Sequence, residues 1–222
     1  MERSRIGIVV PALNEAATIF SVVERISQYG QAIVVDDGST DDTAELARNA
    51  GADVVSHTVN QGYDEALNTG FARAAELGCV FIITIDADGQ HNPAQLAHMI
   101  ALLCEGNELV LGTRDRFARF GEAVFAQCAD FLWGVSDPMC GMKGYATSLY
   151  TSAGRFDRYK LIGSELAIRS IVAGCRTVKM DVTVRDRLDS PRFGRLLSAN
   201  YRILRAMLIL LFMYPPRKVI HS

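Results

Sequence analysis

The sequence predicts an α/β fold for this 222-residue chain: one mostly parallel sheet flanked by helices. Three observations predict it. Short apolar runs rich in β-branched residues recur at 6–10, 32–35, 53–56, 79–85 and 108–112, each the length of a buried strand. Segments with apolar residues at helical spacing lie between them. The connections are short, so successive strands pair in parallel through right-handed crossovers.

Taken in order, Ile6 to Val10 opens the sheet. Ile19, Val22, Val23 and Ile26 then repeat at i, i+3, i+4 and i+7, one face of a helix. Ala32 to Val35 is the second strand, and Ser39 or Thr40 caps the helix carrying Ala44, Leu46 and Ala47. A short strand over 53–56 leads to a helix over 63–77, and Cys79 to Ile85 is the fourth strand. Asn92-Pro93 reads as the cap and first residue of a helix reaching Leu103. The fifth strand covers 108–112. Beyond Arg114 the pattern loosens into a helix over 117–133, an extended run over 141–146 and a helix over 164–173 stopped by Gly174. A strand over 176–184 and an amphipathic helix from 192 to 214, ended by Pro215-Pro216, complete the chain. One domain over 1–190 is expected, followed by a basic and apolar tail over 191–222.

A net charge of −2 gives no ground for broad nucleic-acid binding. The charge is uneven: Arg185, Arg187, Arg192, Arg195, Arg202, Arg205, Arg217 and Lys218 outnumber Asp186 and Asp189. Such a tail suits anionic lipid or a phosphorylated substrate, or is a solvated helix face. The five cysteines are widely spaced with no Cys-x-x-Cys pair, which reads as reduced thiols in a cytoplasmic protein. The first residues lack a signal-peptide pattern. The last apolar run, Ala206 to Tyr214, falls short of the roughly 20 residues that a bilayer span needs.

The richest segment is Phe81 to His91. An apolar strand ends there in Asp86-Ala-Asp-Gly-Gln90, at the rim where open α/β sheets bind ligands. Hard oxygen donors one residue apart suit Mg²⁺ or Mn²⁺ shared with a substrate phosphate. Neither a Gly-x-Gly-x-x-Gly loop nor a Walker-type loop is present. The other motifs, in order, are Val10-Pro-Ala-Leu-Asn-Glu15, Val34-Val-Asp-Asp-Gly-Ser-Thr-Asp-Asp-Thr43, Asn60-Gln-Gly-Tyr-Asp-Glu-Ala-Leu-Asn-Thr-Gly70 and Gly112-Thr-Arg114.

Together these motifs closely resemble the inverting GT-A glycosyltransferases of family 2, and within them the dolichyl- and polyprenyl-phosphate sugar synthases. The resemblance is strong over residues 5 to 115 and loose beyond. It implies a Rossmann-like GT-A sheet and a metal-dependent enzyme that moves a sugar from a UDP- or GDP-sugar to polyprenyl phosphate. It also implies the site. Pro11, Asn14, Glu15, Asp37, Asn60, Gly62 and Asp86 would border the nucleotide sugar, with Asp37 accepting a hydrogen bond from the base. Glu15 contacts base or ribose, or only starts a helix; Gly70 reads as helix–sheet packing. Asp86, Asp88 and Gln90 would hold the metal and diphosphate, and His91 would support or cap.

Arg114, Lys143, Arg187 and Arg192 are the candidates for the acceptor phosphate. Lys143, in Gly141-Met-Lys143, stands where the family often has arginine, so it keeps the charge without the bidentate fork. Asp88, Arg114 and Glu165 are the catalytic candidates. Glu165 is either a general base for a hydroxyl acceptor or a first-turn acid of its helix. A saccharide hydroxyl as acceptor and a non-catalytic nucleotide-sugar-binding subunit are the rival readings. The tail helix is expected to lie on the cytosolic membrane face, or to serve as a core or dimer helix, with a separate membrane-protein partner or homo-oligomer conceivable.

Overall fold

The computed structural model describes residues 5–115, 117, 119–184 and 196–215. Its first half alternates β1 (Ile6–Ala12), α1 (Ile19–Ile26), β2 (Gln31–Asp36), α2 (Thr43–Asn49), β3 (Asp53–Ser56), α3 (Tyr63–Glu76), β4 (Phe81–Thr84), α4 (Gln95–Cys104) and β5 (Leu109–Arg114). The second half holds α5 (Phe120–Trp133), β6 (Lys143–Ala146), α6 (Thr147–Ala153), α7 (Glu165–Ala173), β7 (Thr177–Val182) and α8 (Leu196–Met213). The strands form one sheet in the order β3-β2-β1-β4-β6-β5-β7. All pairings are parallel except those of β6, which runs antiparallel to both β4 and β5.

Each strand alternates its side chains between two cores. Ile8 and Val10 of β1 face α1, α2 and α4, packing with Ile19, Val23, Ala47 and Met99. Val9 faces the opposite layer, with Leu67 and Phe71 of α3, Phe125 of α5, Leu166 of α7 and Ile203 of α8. The helical face read from the sequence is the one buried: Ile19, Val22, Val23 and Ile26. Burial of each such side chain is worth about 1.5–3 kcal/mol. α3 lies so close to the sheet that a Cβ on Gly70 would overlap the Val9 side chain, which is the packing role expected for that glycine.

Two expectations needed correction, and one helix was missed. α2 begins at Thr43 with Asp42 as its N-cap residue. Ser39 Oγ instead accepts the backbone N–H of Asn14 (2.8 Å), tying together the loops after β1 and β2. The helix expected to begin at Pro93 starts at Gln95, with Asn92 Oδ1 accepting the Ala94 N–H. α6 was not foreseen, and none of its residues is fully buried.

One face of the tail helix is core, as one of its two readings allowed: Ile203, Ala206 and Leu210 are fully buried in the second core, and α8 packs on α5. The boundary expected at 190/191 lies outside the described residues, as do Arg187 and Arg192.

The order 3-2-1-4 makes the gap between β1 and β4 a topological switch point, where open α/β sheets bind ligands. The loops leaving β1, β2, β4 and β5 all rise at this end.

Candidate active site

A cleft of about 620 Å³ opens there, lined by Pro11, Leu13, Glu15, Asp37, Asn60, Gly62, Tyr63, Ala66, Asp86, Asp88, Gln90, Arg114, Arg119, Glu122, Met139, Ile162 and Arg202, among others. One end is built by the loops after β1 and β2. Asn14 has φ 51°, a left-handed conformation that asparagine tolerates, and its Oδ1 accepts the Thr40 N–H at 2.8 Å. Asn14 does not itself line the cleft; it shapes the loop that does. The Glu15 N–H donates to Thr43 Oγ1 at 2.7 Å.

The Asp37 carboxylate organises the wall beside it. Oδ1 accepts the Gln61 N–H (2.9 Å) and lies 2.7 Å from His57 Nδ1, while Oδ2 accepts the Gly62 N–H (2.8 Å). Gly62 sits at φ 100°, where a side chain would be strained. Asp37 therefore fixes the Asn60–Gly62 turn as well as facing the cleft.

At the other end β4 stops at Thr84 and the chain turns through Asp86, Asp88 and Gln90, all three on the cleft wall. Asp86 is held on both oxygens: Tyr63 Oη donates to Oδ1 (3.3 Å), and His91 Nε2 lies 3.2 Å from Oδ2. Burial alone would push this carboxyl up. His91, Arg114 and the Tyr63 hydroxyl outweigh that and hold it below the usual carboxylate range, so it is ionised. Asp88 Oδ1 accepts the Gln90 N–H at 3.0 Å, closing the turn.

Behind Asp86 lies Gly141, where any Cβ would overlap the Asp86 carboxylate. Gly141→Ala should push Asp86 out of place and weaken Mn²⁺ binding by about 10–100-fold, the size seen when groups that orient a metal ligand are lost. A Mn²⁺ titration beside a circular-dichroism spectrum checks this; unchanged affinity in a folded variant refutes it.

Arg114, at the end of β5, lines the cleft under tight restraint. Its Nε and Nη2 reach the two oxygens of Asp137 at 2.7 and 3.0 Å, and Nη2 also meets Glu122 at 3.3 Å. Glu122 in turn accepts from Arg119 at 2.7 Å. Asp137 and Glu122 are almost fully buried.

Tyr63, Arg119, Glu122, Asp137 and Arg202 are site residues that the sequence reading did not single out. Arg202 had a signal, as one of two arginines in an otherwise apolar helix. The pairing of Asp137 with Arg114 had none.

Two expected contacts lie elsewhere. Lys143 is buried, and its Nζ donates to the Gly163 carbonyl at 3.0 Å; burial lowers its pKa. Glu165 is fully buried. It accepts the Arg158 N–H (2.6 Å) through Oε2 and the Tyr214 hydroxyl (2.8 Å) through Oε1. Neither lines the cleft. A positively charged group on a strand and an acid at a helix start carry no mark of which layer they will face.

Among the described residues no three acidic, histidine or cysteine side chains are grouped to cage a metal. The donor set still fits a shared cation. Mg²⁺ and Mn²⁺ commonly take one or two carboxylates and complete their shell with substrate phosphates and water, and Asp86 and Asp88 would supply that pair.

The chain is similar to known proteins in sequence and in fold. A chain from Methanocaldococcus jannaschii, described only as uncharacterized, is 38% identical over 117 residues, so the alignment spans about half of each chain (51% and 48%). An uncharacterized glycosyltransferase of Mycobacterium tuberculosis is 30% identical over 84% of this chain and 88% of its own. A dolichyl-phosphate hexose transferase of Haloferax volcanii is 29% identical over 82% and 83%. Among solved structures, glucosyl-3-phosphoglycerate synthase from M. tuberculosis, in complex with Mn²⁺, UDP and glucosyl-3-phosphoglycerate, superposes with a TM-score of 0.76. It is 26% identical, and the match covers 96% of this chain and 81% of that one. The family described as "Glycosyl transferase family 2" matches residues 7–124, the stretch that supplies most of the cleft's lining residues, and the chain belongs to that family.

Proposed function

We propose that this protein is a metal-dependent inverting glycosyltransferase that moves a sugar from a nucleotide sugar to polyprenyl phosphate at a membrane surface. One observation carries the reading: a single cleft holds the Asp86/Asp88 carboxylates together with the guanidinium groups of Arg114, Arg119 and Arg202. Carboxylates on one part of the wall suit a cation-bound diphosphate, and arginines on another suit a second phosphate.

In the reaction an oxygen of the acceptor attacks C1 of the sugar from the face opposite the leaving group. The C1–O bond to the β-phosphate breaks, and its electron pair leaves with the nucleoside diphosphate. Asp86 and Asp88 would hold a divalent cation, which when bound would supply positive charge for that leaving group. Tyr63 and His91 keep the Asp86 carboxylate aimed, and Asp37 keeps the Asn60–Gly62 turn against the nucleotide. A phosphomonoester acceptor, with a second pKa near ~6, arrives as an anion and needs no base. The burial of Glu165, with both oxygens engaged, favours such an acceptor over a hydroxyl. Arg119, the residue before α5, and Arg202 of α8 then counter the repulsion between two anionic substrates.

α8 also supports the membrane placement. Opposite its buried row, Tyr201, Leu204, Leu208 and Phe212 project outward, and Phe212 is 86% exposed. Arg202 on the same helix reaches the cleft, so a helix lying in the interface would present the site to a headgroup. No helix among the described residues is long and apolar enough to cross a membrane.

The mycobacterial neighbour, a glucosyl-3-phosphoglycerate synthase in complex with glucosyl-3-phosphoglycerate, favours a second reading with a hydroxyl acceptor. A transfer assay separates the two. It uses radiolabelled UDP- and GDP-sugars, Mg²⁺ or Mn²⁺, and vesicles carrying undecaprenyl or dolichyl phosphate. Label should enter the lipid phase only with metal present. Donor consumption with label left in water would move the acceptor to a saccharide or other hydroxyl compound. An untouched donor would leave a nucleotide-sugar-binding subunit.

A further inference from the structure

The segment from Asp157 to Ser164 holds an expensive backbone. Lys160 and Ile162 have φ of 58° and 57°, the left-handed region that L-residues avoid and in which a β-branched side chain is an outlier. Such strain persists where the surroundings over-determine it, and it concentrates at functional sites.

Here the surroundings do so with buried charge. The Asp157 carboxylate accepts the N–H groups of Tyr159 (3.0 Å), Lys160 (2.6 Å) and Leu161 (3.0 Å). Asp64 accepts the Gly163 N–H at 2.6 Å, and Lys143 donates to the Gly163 carbonyl at 3.0 Å. Asp64, Lys143 and Asp157 are each at most 8% exposed. None of the three lines the cleft, whereas Ile162 does. Burying ionisable groups is costly unless each is fully paired, and here all of them converge on one turn of backbone.

That turn lies at the carboxylate end of the cleft. A Cβ on Gly163 would sit 3.1 Å from the Tyr63 ring, and the Tyr63 hydroxyl bonds Asp86. A sugar on a diphosphate held at Asp86 would then share the cleft with Ile162.

We propose that Ile162 is a specificity-determining wall against the C–H face of the transferred sugar, with Asp64, Lys143 and Asp157 as positioning residues that hold it there. The proposal rests on the glycosyltransferase reading above and names the residue that selects among its donors. It also gives Lys143 a task in place of a phosphate contact.

The test compares wild type with Ile162→Ala and Ile162→Gly. Alanine removes the wall and keeps the left-handed cost; glycine removes both. Ile162→Gly should melt about 2–4 °C above Ile162→Ala, as expected for relief of strain in a chain of this size. Binding of UDP, GDP, UDP-glucose, UDP-N-acetylglucosamine and GDP-mannose is measured in Mn²⁺ for all three proteins. The preference of wild type for its best nucleotide sugar over the bare nucleotide and over the other sugars should fall about 10-fold in both variants, the scale set by apolar pocket contacts. Lys143→Met should flatten the same preference, because it releases the same turn.

An unchanged sugar preference in both Ile162 variants overturns the proposal even if the melting order is as expected, since the turn is then only structural. Equal melting of the two variants overturns the strain argument. A wild type that binds neither UDP nor GDP overturns the glycosyltransferase reading itself, a failure visible before any variant is compared.

Discussion

Asp88→Ala should leave a folded protein with turnover reduced by about 10³-fold or more, equivalent to roughly 4 kcal/mol of lost transition-state stabilisation. The magnitude follows from where charge appears. Departure of a nucleoside diphosphate concentrates negative charge on the β-phosphate, and a cation that Asp86 and Asp88 would hold would supply the largest positive charge to meet it. The fold should tolerate the change, because Asp88 sits in a half-buried turn on the cleft wall, outside both hydrophobic cores.

Asp86→Ala should differ in kind. It removes the same ligand and also strands the nearly buried imidazole of His91 and the hydroxyl of Tyr63, adding about 1–3 kcal/mol of destabilisation for polar groups left without partners. Turnover, Mn²⁺ affinity and thermal melting of the two variants check the pair. Full activity in Asp88→Ala would remove the metal assignment. Equal melting of both variants would show that His91 and Tyr63 do not depend on Asp86.

The contrast between these two carboxylates marks how far the sequence could be read. Both were visible as a motif because strand termination is a local event: the apolar run of β4 ends and the acids begin. The same locality exposed the five leading strands and the buried face of α1, whose period is set by side chains three and four apart. β6 could be read as extended, but its insertion between β4 and β5 is a decision of the whole sheet. α6 escaped because it buries no complete face and so leaves no apolar period. Tyr63, Arg119, Ile162 and Arg202 join the cleft, and Asp137 meets Arg114 behind it, only when distant loops and helices come together. Lys143 shows the converse: a charge in the right motif whose side chain the sheet turns toward the Gly163 carbonyl.

Arg114 joins the two levels, and its substitution should be the most damaging to the fold. The guanidinium meets Asp137 through two nitrogens and Glu122 through a third contact, and both acids are nearly buried. Arg114→Met would leave those carboxylates short of a partner inside the protein. Breaking a buried pair from one side costs about 3–5 kcal/mol, which in a chain of this size lowers the Tm by roughly 6–20 °C. Asp137→Asn should cost a similar amount, because it frees the arginine instead. The double variant should cost clearly less than the sum, since each partner's loss removes the other's penalty; an additive cycle would show that the two groups do not act as a pair.

Arg114→Lys then isolates function. It keeps the charge but loses the fork that spans Asp137, so melting should fall less than in Arg114→Met. If Arg114 also grips the acceptor phosphate, the KM for polyprenyl phosphate should rise in Arg114→Lys while nucleotide-sugar binding holds. An unchanged acceptor KM would confine Arg114 to holding the cleft open and leave Arg119 and Arg202 to meet the phosphate.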